Sequence, residues 1–215
     1  MSGMEVELKY SLLSPGAGKA ILACLTGYDG FQQNSRKTLE MRAVYYDDSE
    51  RTLASAGIGY RVRKENETYI ATVKWTDSET GNGLSRRREY NVPVSGENPE
   101  PAVFAERLPE KRIREIFREL TAVPLFVTSV RRELAVVQYK GALIEVAFDR
   151  GEISSSFHGK GAAGVRPLPI CELECELKSG EERDLTEFGR GLQRKFGLEP
   201  LNDSKMKRGL ELISM

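Results

Sequence analysis

Histidine occurs once in the 215 residues, at His158, and cysteine three times, at Cys24, Cys171 and Cys175. A zinc centre or a histidine-based triad needs these side chains in groups and at set spacings that the chain lacks. His158 stands in a Gly- and Ser-rich stretch that reads as a surface loop, and Cys175 reads as core filling. No run reaches the roughly 18 apolar residues of a membrane span, and no apolar signal segment opens the sequence. Net charge is also missing, because 32 Lys and Arg balance 32 Asp and Glu. Nothing therefore draws the whole molecule to nucleic acid or a membrane, and an anionic ligand must be attracted locally. Pro15-Gly16-Ala17-Gly18-Lys19 is followed by Ala20, with no hydroxyl for magnesium, which excludes a phosphate-binding loop. The expectation is a soluble, cytoplasmic protein forming one domain over residues 1–215, with residues 1–3 read as an expression scar.

What the chain does have is charge arranged with period two. In a strand, Glu5, Glu7 and Lys9 share one face and Val6 and Leu8 the other. Glu172, Glu174 and Glu176 repeat the device opposite Leu173, Cys175 and Leu177. Between these acidic strands come basic ones. Arg61 and Arg63 lie opposite Tyr60 and Val62, Lys74 sits on the returning arm of a hairpin, and Arg87 shares a face with Glu89. Glu145 and Asp149 share a polar face, Arg42 fits either face of its strand, and Arg131 and Arg132 point to opposite faces. Helical spacing marks Pro15 to Leu25, Glu110 to Leu120 and Asp184 to Phe196, and Asn202 or Asp203 is placed to cap a last helix. Strands are expected at 125–137, 142–150, 154–158 and 170–178, besides those above. The fold class that reconciles so many polar strand faces is α+β: an eight-stranded antiparallel closed β-barrel with a charged lumen, its apolar side chains turned outward under flanking helices.

Carboxylates at Glu5, Glu7, Glu172 and Glu174, with Asp149 and Glu176, would repel one another in such a lumen unless cations sat among them. Magnesium or manganese, which take hard oxygen ligands, meets that need. Lys9, Arg42, Arg61, Arg63, Lys74, Arg87 and one of Arg131 or Arg132 supply more positive charge than a single carboxylate requires, and a polyphosphate uses that much. The implied reaction is metal-assisted phosphoryl transfer to water.

Glu5-Val6-Glu7-Leu8-Lys9 resembles the E-x-E-x-K signature of the CYTH superfamily, the triphosphate tunnel metalloenzymes. The likeness continues in order through Arg61-Val62-Arg63, Lys74, Arg87-Arg88-Glu89, an arginine near 131, Asp149, the Glu172 to Gly180 segment and Ser204-Lys205. It implies divalent-metal dependence, hydrolysis of inorganic triphosphate to diphosphate and phosphate, and a C-terminal helix that plugs one tunnel mouth. It also implies roles. Glu5, Glu7, Asp149, Glu172, Glu174 and Glu176 would serve the metal, and Lys9, Arg42, Arg61, Arg63, Lys74, Arg87, Arg131 and Lys205 would hold phosphate. Glu5, Glu7, Lys9 and Glu174 would form the catalytic set. Some members carry a further helical, histidine-rich domain, and this chain resembles the stand-alone form; a homodimer is open by the same analogy. Thiamine triphosphatase, nucleoside triphosphatase, adenylate cyclase and a non-catalytic polyphosphate-binding module are the alternatives. Thiamine recognition would use an aromatic platform at a tunnel mouth, for which Trp75, Tyr45 and Tyr60 are the aromatics to consider.

Overall fold

Alternating strands of this kind can keep one face polar and one face dry only if the sheet is covered on a single side and closed on the other. The structure, a computed structural model, describes residues 2–78, 81–155 and 166–214 and meets that condition with a barrel. Its strands are β1 (Ser2–Ser11), β2 (Lys37–Asp47), β3 (Ile58–Glu65), β4 (Thr68–Ser78), β5 (Leu84–Val94), β6 (Val123–Tyr139), β7 (Ala142–Ser154) and β8 (Leu168–Ser179). They are hydrogen-bonded in the order β5-β4-β3-β2-β6-β7-β8-β1, and β5 pairs back onto β1 to complete the ring. Every pairing is antiparallel. A two-residue β9 (Glu199–Pro200) extends the ladder beside Tyr10 and Ser11.

The helices cover the outside. Ile21, Leu22 and Leu25 of α1 (Pro15–Leu25) and Leu185, Phe188 and Leu192 of α5 (Glu182–Phe196) pack on Leu8, Tyr10, Ile144, Val146, Leu173 and Cys175. Here Gly18 lets α1 lie directly on the sheet, since a Cβ at that position would fall 2.4 Å from the Phe148 ring. Gly18 of this helix thus serves packing, in keeping with the missing phosphate loop. On the opposite side α2 (Thr52–Ser55), α3 (Ala102–Ala105) and α4 (Lys111–Glu119) cover Val44, Tyr60, Val62, Ala71 and Val73. Tyr60 is edge-on to Phe104 and Phe117, with ring centroids 5.7 and 5.4 Å away. Each such side chain withdrawn from water contributes roughly 1.5–3 kcal/mol. This outer apolar shell is what holds a ring whose inside is charged.

The last helix, α6 (Lys205–Ser214), is placed differently. It closes one end of the barrel over Met41, Ala43, Tyr45, Phe126 and Val130, with Leu212 among them. Its N-terminus is capped by Ser204, whose Oγ accepts from the Lys207 N–H at 3.1 Å. Asn202 is used otherwise, its Oδ1 accepting from the Gly83 N–H at 2.8 Å.

One further expectation changes. Ser154 is the last residue of β7 and not the start of another strand, while residues 156–158, with His158, lie outside the described residues. Ser2, Gly3 and Met4 belong to β1, opposite Tyr90, Glu89 and Arg88 of β5. Among the described residues no helix is long and apolar enough to cross a membrane.

Candidate functional site

Barrel order sorts the charged residues. Strands β7, β8 and β1 are neighbours in the ring, and so are β5, β4 and β3. The first group brings Glu5, Glu7, Glu145, Asp149, Glu174 and Glu176 to the lumen, and the second brings Arg87, Lys74, Arg61 and Arg63. The result is an acidic wall facing a basic wall across a cavity of about 1270 Å³. Cross-strand register tightens the acidic side, because Glu176 is the partner of both Glu7 and Glu145.

The two walls meet along β1 and β5. The Lys74 ammonium donates to both Glu5 carboxylate oxygens at 2.7 and 2.9 Å and lies 2.5 Å from Glu89. The Glu89 carboxylate also accepts from Asn91, whose own oxygen accepts from the Thr72 hydroxyl. Arg87 donates to Glu7 at 2.6 Å and to Ser85 at 2.9 Å, and Lys9 stands 3.2 Å from Glu7 and 3.5 Å from Glu174. Burial alone would push Glu7 up, but Lys9 and Arg87 hold its carboxyl below the usual range.

At the plugged end the charges interlock more closely. Asp149 and Glu172 are 0% and 1% exposed. Arg132 grips Asp149 through two bonds of 2.6 and 2.8 Å and also reaches Glu174. Lys205, the first residue of α6, donates to Asp149 at 2.8 Å, to Glu174 at 2.9 Å and to Glu172. Arg208 on the same helix adds a bond of 2.5 Å to Glu172. Burial opposes the charged form of Lys205, yet the three carboxylates hold its ammonium well above the ordinary lysine range. Glu174 is held well below its ordinary range in return, against its own burial, by Lys205, Arg132 and Lys9.

Several side chains carry hydrogen-bonding capacity, or a cost of burial, that their neighbours among the described residues do not offset. The Nε atoms of Arg61 and Arg63 are buried and make no hydrogen bond to the described residues. Burial and the adjacent Arg61 push Arg63 down to about 10, although Glu65 pairs with it. Such groups cost stability unless something fills the space before them. On the acidic wall, burial together with Glu7 and Glu89 overcomes Lys74 and raises Glu5 to about 7, and burial raises Glu176 as well. Glu65 pairs with Arg63, Lys74 with Glu5 and Lys178 with Glu176, so what stays open is the unused Nε capacity of the arginines and the burial cost on the two carboxylates.

The sign of the Glu5 effect gives a measurable expectation. Between pH 4.5 and 7 the unfolded chain releases the Glu5 proton while the folded chain keeps it, so stability falls as pH rises through that window and then levels off. Full loss is roughly 3 kcal/mol by linkage. Glu7, Asp149 and Glu174, held low, act in the other direction and at lower pH, losing their stabilisation as acid protonates them. Urea midpoints of metal-free protein should therefore drop between pH 5 and pH 7.5, and the drop should shrink in Glu5→Gln. Equal midpoints in the wild type would contradict a raised Glu5.

The remaining predicted residues separate. Arg42 and Arg131 are on the outside of the barrel, paired with Glu97 and Glu40, and neither lines the tunnel. Alternation decides this: Met41, Ala43 and Tyr45 take the lumen side of β2, leaving Arg42 outside, and Arg132 takes the lumen side of β6. Glu172 lies behind Lys205 and Arg208 and does not face the open cavity. Glu145, Glu89, Ser85, Asn91 and Arg208 complete the charge network and were not among the predicted site residues. The shared face of Glu145 with Asp149, and of Glu89 with Arg87, was the signal for two of them. Of the aromatics considered as a platform, Tyr60 is buried under α3 and α4, and Trp75 stacks on Tyr90 at 5.5 Å in that outer cluster while also bordering the cavity. Tyr45 lies inside, at the plugged end.

The donor set fits a divalent cation. Glu5, Glu7, Glu174, Glu176 and Glu145 offer hard carboxylate oxygens on one wall, and burial raises two of them, Glu5 and Glu176, toward the protonated form despite their pairing with Lys74 and Lys178. The ligand atoms of Asp149, Glu172 and Glu174 all lie within 4.8 Å of one another, but Lys205, Arg132 and Arg208 already engage that trio.

Comparison with known proteins places these features in context. The CYTH domain model matches residues 3–210. The inorganic triphosphatase of Haemophilus influenzae is 32% identical over 211 residues, which cover 98% of this chain and 55% of that protein. The chain thus spans about half the length of that curated relative. A protein from Hippeastrum, described as an adenylyl cyclase by assignment and as having a dominant triphosphatase activity, superposes with a TM-score of 0.62 at 20% identity, over 96% of this chain and 95% of that one. The capping-enzyme triphosphatase of Mimivirus gives 0.54 at 10% identity, over 89% of each chain. At these identities the two structures speak to the fold alone.

Proposed function

This chain belongs to the CYTH domain family, and from that premise we propose that its tunnel hydrolyses inorganic triphosphate to diphosphate and phosphate with the help of magnesium or manganese. The observation that carries the reading is that one tunnel holds both the buried Nε atoms of Arg61 and Arg63, with no hydrogen-bond partner among the described residues, and two carboxylates, Glu5 and Glu176, that burial raises toward their neutral forms. A metal-bound triphosphate chain meets both at once, its oxygens to the guanidiniums and its cation to the carboxylates.

Each wall then has a distinct task. Arg61, Arg63 and Arg87 bind phosphoryl oxygens by their planar forks and fix the chain in place, while Lys9 and Lys74 act as point charges beside it. Glu5, Glu7, Glu174 and Glu176 would hold the cation, which supplies charge neutralisation and activation of water when bound. Lys74 links the walls through Glu5 and Glu89, so the binding groups are already oriented before substrate arrives. Preorganised charge at the transferred group is the main contribution a protein makes to phosphoryl transfer.

Inorganic triphosphate is favoured over a thiamine ester because Tyr60 is committed to the outer layer, while Trp75 and Tyr45, which border the tunnel, are already stacked on Tyr90 and Phe126. Phosphate release from tripolyphosphate, ATP and thiamine triphosphate, each with magnesium, manganese or neither, tests the reading. The expected result is metal-dependent release that is fastest from tripolyphosphate. Tight binding of tripolyphosphate by folded protein, with no release under any condition, would replace the enzyme by a polyphosphate-binding module.

A further inference from the structure

We propose that Tyr45 is the positioning residue that aims Arg61 at the phosphate chain, a role that rests on the triphosphatase reading above. Tyr45 is 5% exposed and lines the tunnel at its plugged end. A phenol hydroxyl buried at that depth needs a polar partner. Its partner is Arg61, whose Nη1 donates to the Tyr45 oxygen at 3.3 Å. The bond uses one end of the guanidinium and leaves the buried Nε unmatched. Arg61 is thereby held on one side with hydrogen-bonding capacity to spare, as a group waiting for a phosphoryl oxygen would be.

The ring of Tyr45 is fixed in turn. It stacks on Phe126 with centroids 4.5 Å apart and planes within 19°. Phe126 also lies directly against α6, where a Cβ on Gly209 would fall 2.3 Å from the Phe126 ring. The seat of the plug helix is thus connected through Phe126 and Tyr45 to the tip of Arg61. Phenylalanine at position 45 would satisfy the stack and the apolar cluster equally well, so the hydroxyl is the part that packing does not explain.

The test separates the hydroxyl from the ring. Tripolyphosphate is titrated calorimetrically into wild type, Tyr45→Phe, Arg61→Gln and the double variant without metal, and phosphate release is followed with magnesium. Tyr45→Phe should weaken binding and raise KM about tenfold, the order expected for a lost hydrogen bond to a charged group, while kcat changes far less. In the Arg61→Gln background the same substitution should have no further effect, because both act through one guanidinium. An unchanged KM and binding constant in Tyr45→Phe, or an equal loss when Arg61 is already gone, overturns the role of Tyr45 and leaves the triphosphatase reading standing. A wild-type protein that neither binds nor hydrolyses tripolyphosphate overturns both.

Discussion

Glu7→Gln should lower metal-dependent phosphate release by about 10²–10³-fold, the range seen when one preorganised electrostatic group is removed from an active site, and should leave the barrel folded. Glutamine keeps the shape of glutamate and one oxygen that can accept from Arg87, now 2.6 Å from the Glu7 carboxylate. What it loses is the negative charge. That charge sits on the acidic wall next to Glu174 and opposite Glu176 in the ladder. Removing it takes a proposed ligand from the cation and leaves Lys9 and Arg87 with less to balance them. Initial rates at several magnesium concentrations, alongside a thermal midpoint, measure both parts. If Glu7→Gln turns over at the wild-type rate with the wild-type metal dependence, Glu7 does not hold the metal.

Arg132→Met should destabilise the fold by about 3–5 kcal/mol, the cost of leaving one side of a buried ion pair without its partner. Asp149 is fully buried, and its two oxygens are both taken by the Arg132 guanidinium. Glu174 shares that guanidinium. Lys205 remains and compensates in part, since it contacts both carboxylates. Arg131→Met provides the contrast. Its side chain is 47% exposed and pairs with an exposed Glu40, and pairs of that kind are worth little. Its urea midpoint should stay within about 0.5 kcal/mol of wild type. Similar losses from both substitutions would mean that Asp149 does not depend on Arg132.

Those two neighbours also show how far the chain can be read without coordinates. Period-two alternation is a local property, so the opposition of Glu5, Glu7 and Lys9 to Val6 and Leu8 is visible in five residues, and so is that of Arg61 and Arg63 to Tyr60 and Val62. The barrel, its outward apolar layer and its charged lumen follow from adding such segments together. Which face of a strand points inward is not local when both faces carry charge. Arg131 and Arg132 are adjacent and chemically identical, and only the ladder to β2 and β7, with Arg132 opposite Asp149, decides between them. Arg42 was ambiguous for the same reason. Glu172, Glu174 and Glu176 do share a face, as alternation requires, but the burial of Glu172 comes from α6, an element far along the chain. The bond between Tyr45 and Arg61 joins two strands and had no signal in either segment.

The acidic wall has a kinetic consequence. It is assembled from β1 on one side and β7 and β8 on the other, and Glu7 must find Glu176 across most of the chain. Pairings of such long separation pay their loop-closure entropy before they return any contact energy, and they form late. The hairpins β3–β4 and β6–β7 join near neighbours and are free to form early. During synthesis β1 can pair with β5 but must wait for β8 to emerge, and Leu8 stays uncovered until α5, which follows β8, packs on it. The last seam to close is then the one that brings Glu7, Glu174 and Glu176 together, so a partly folded chain presents arginines but has no completed place for the cation.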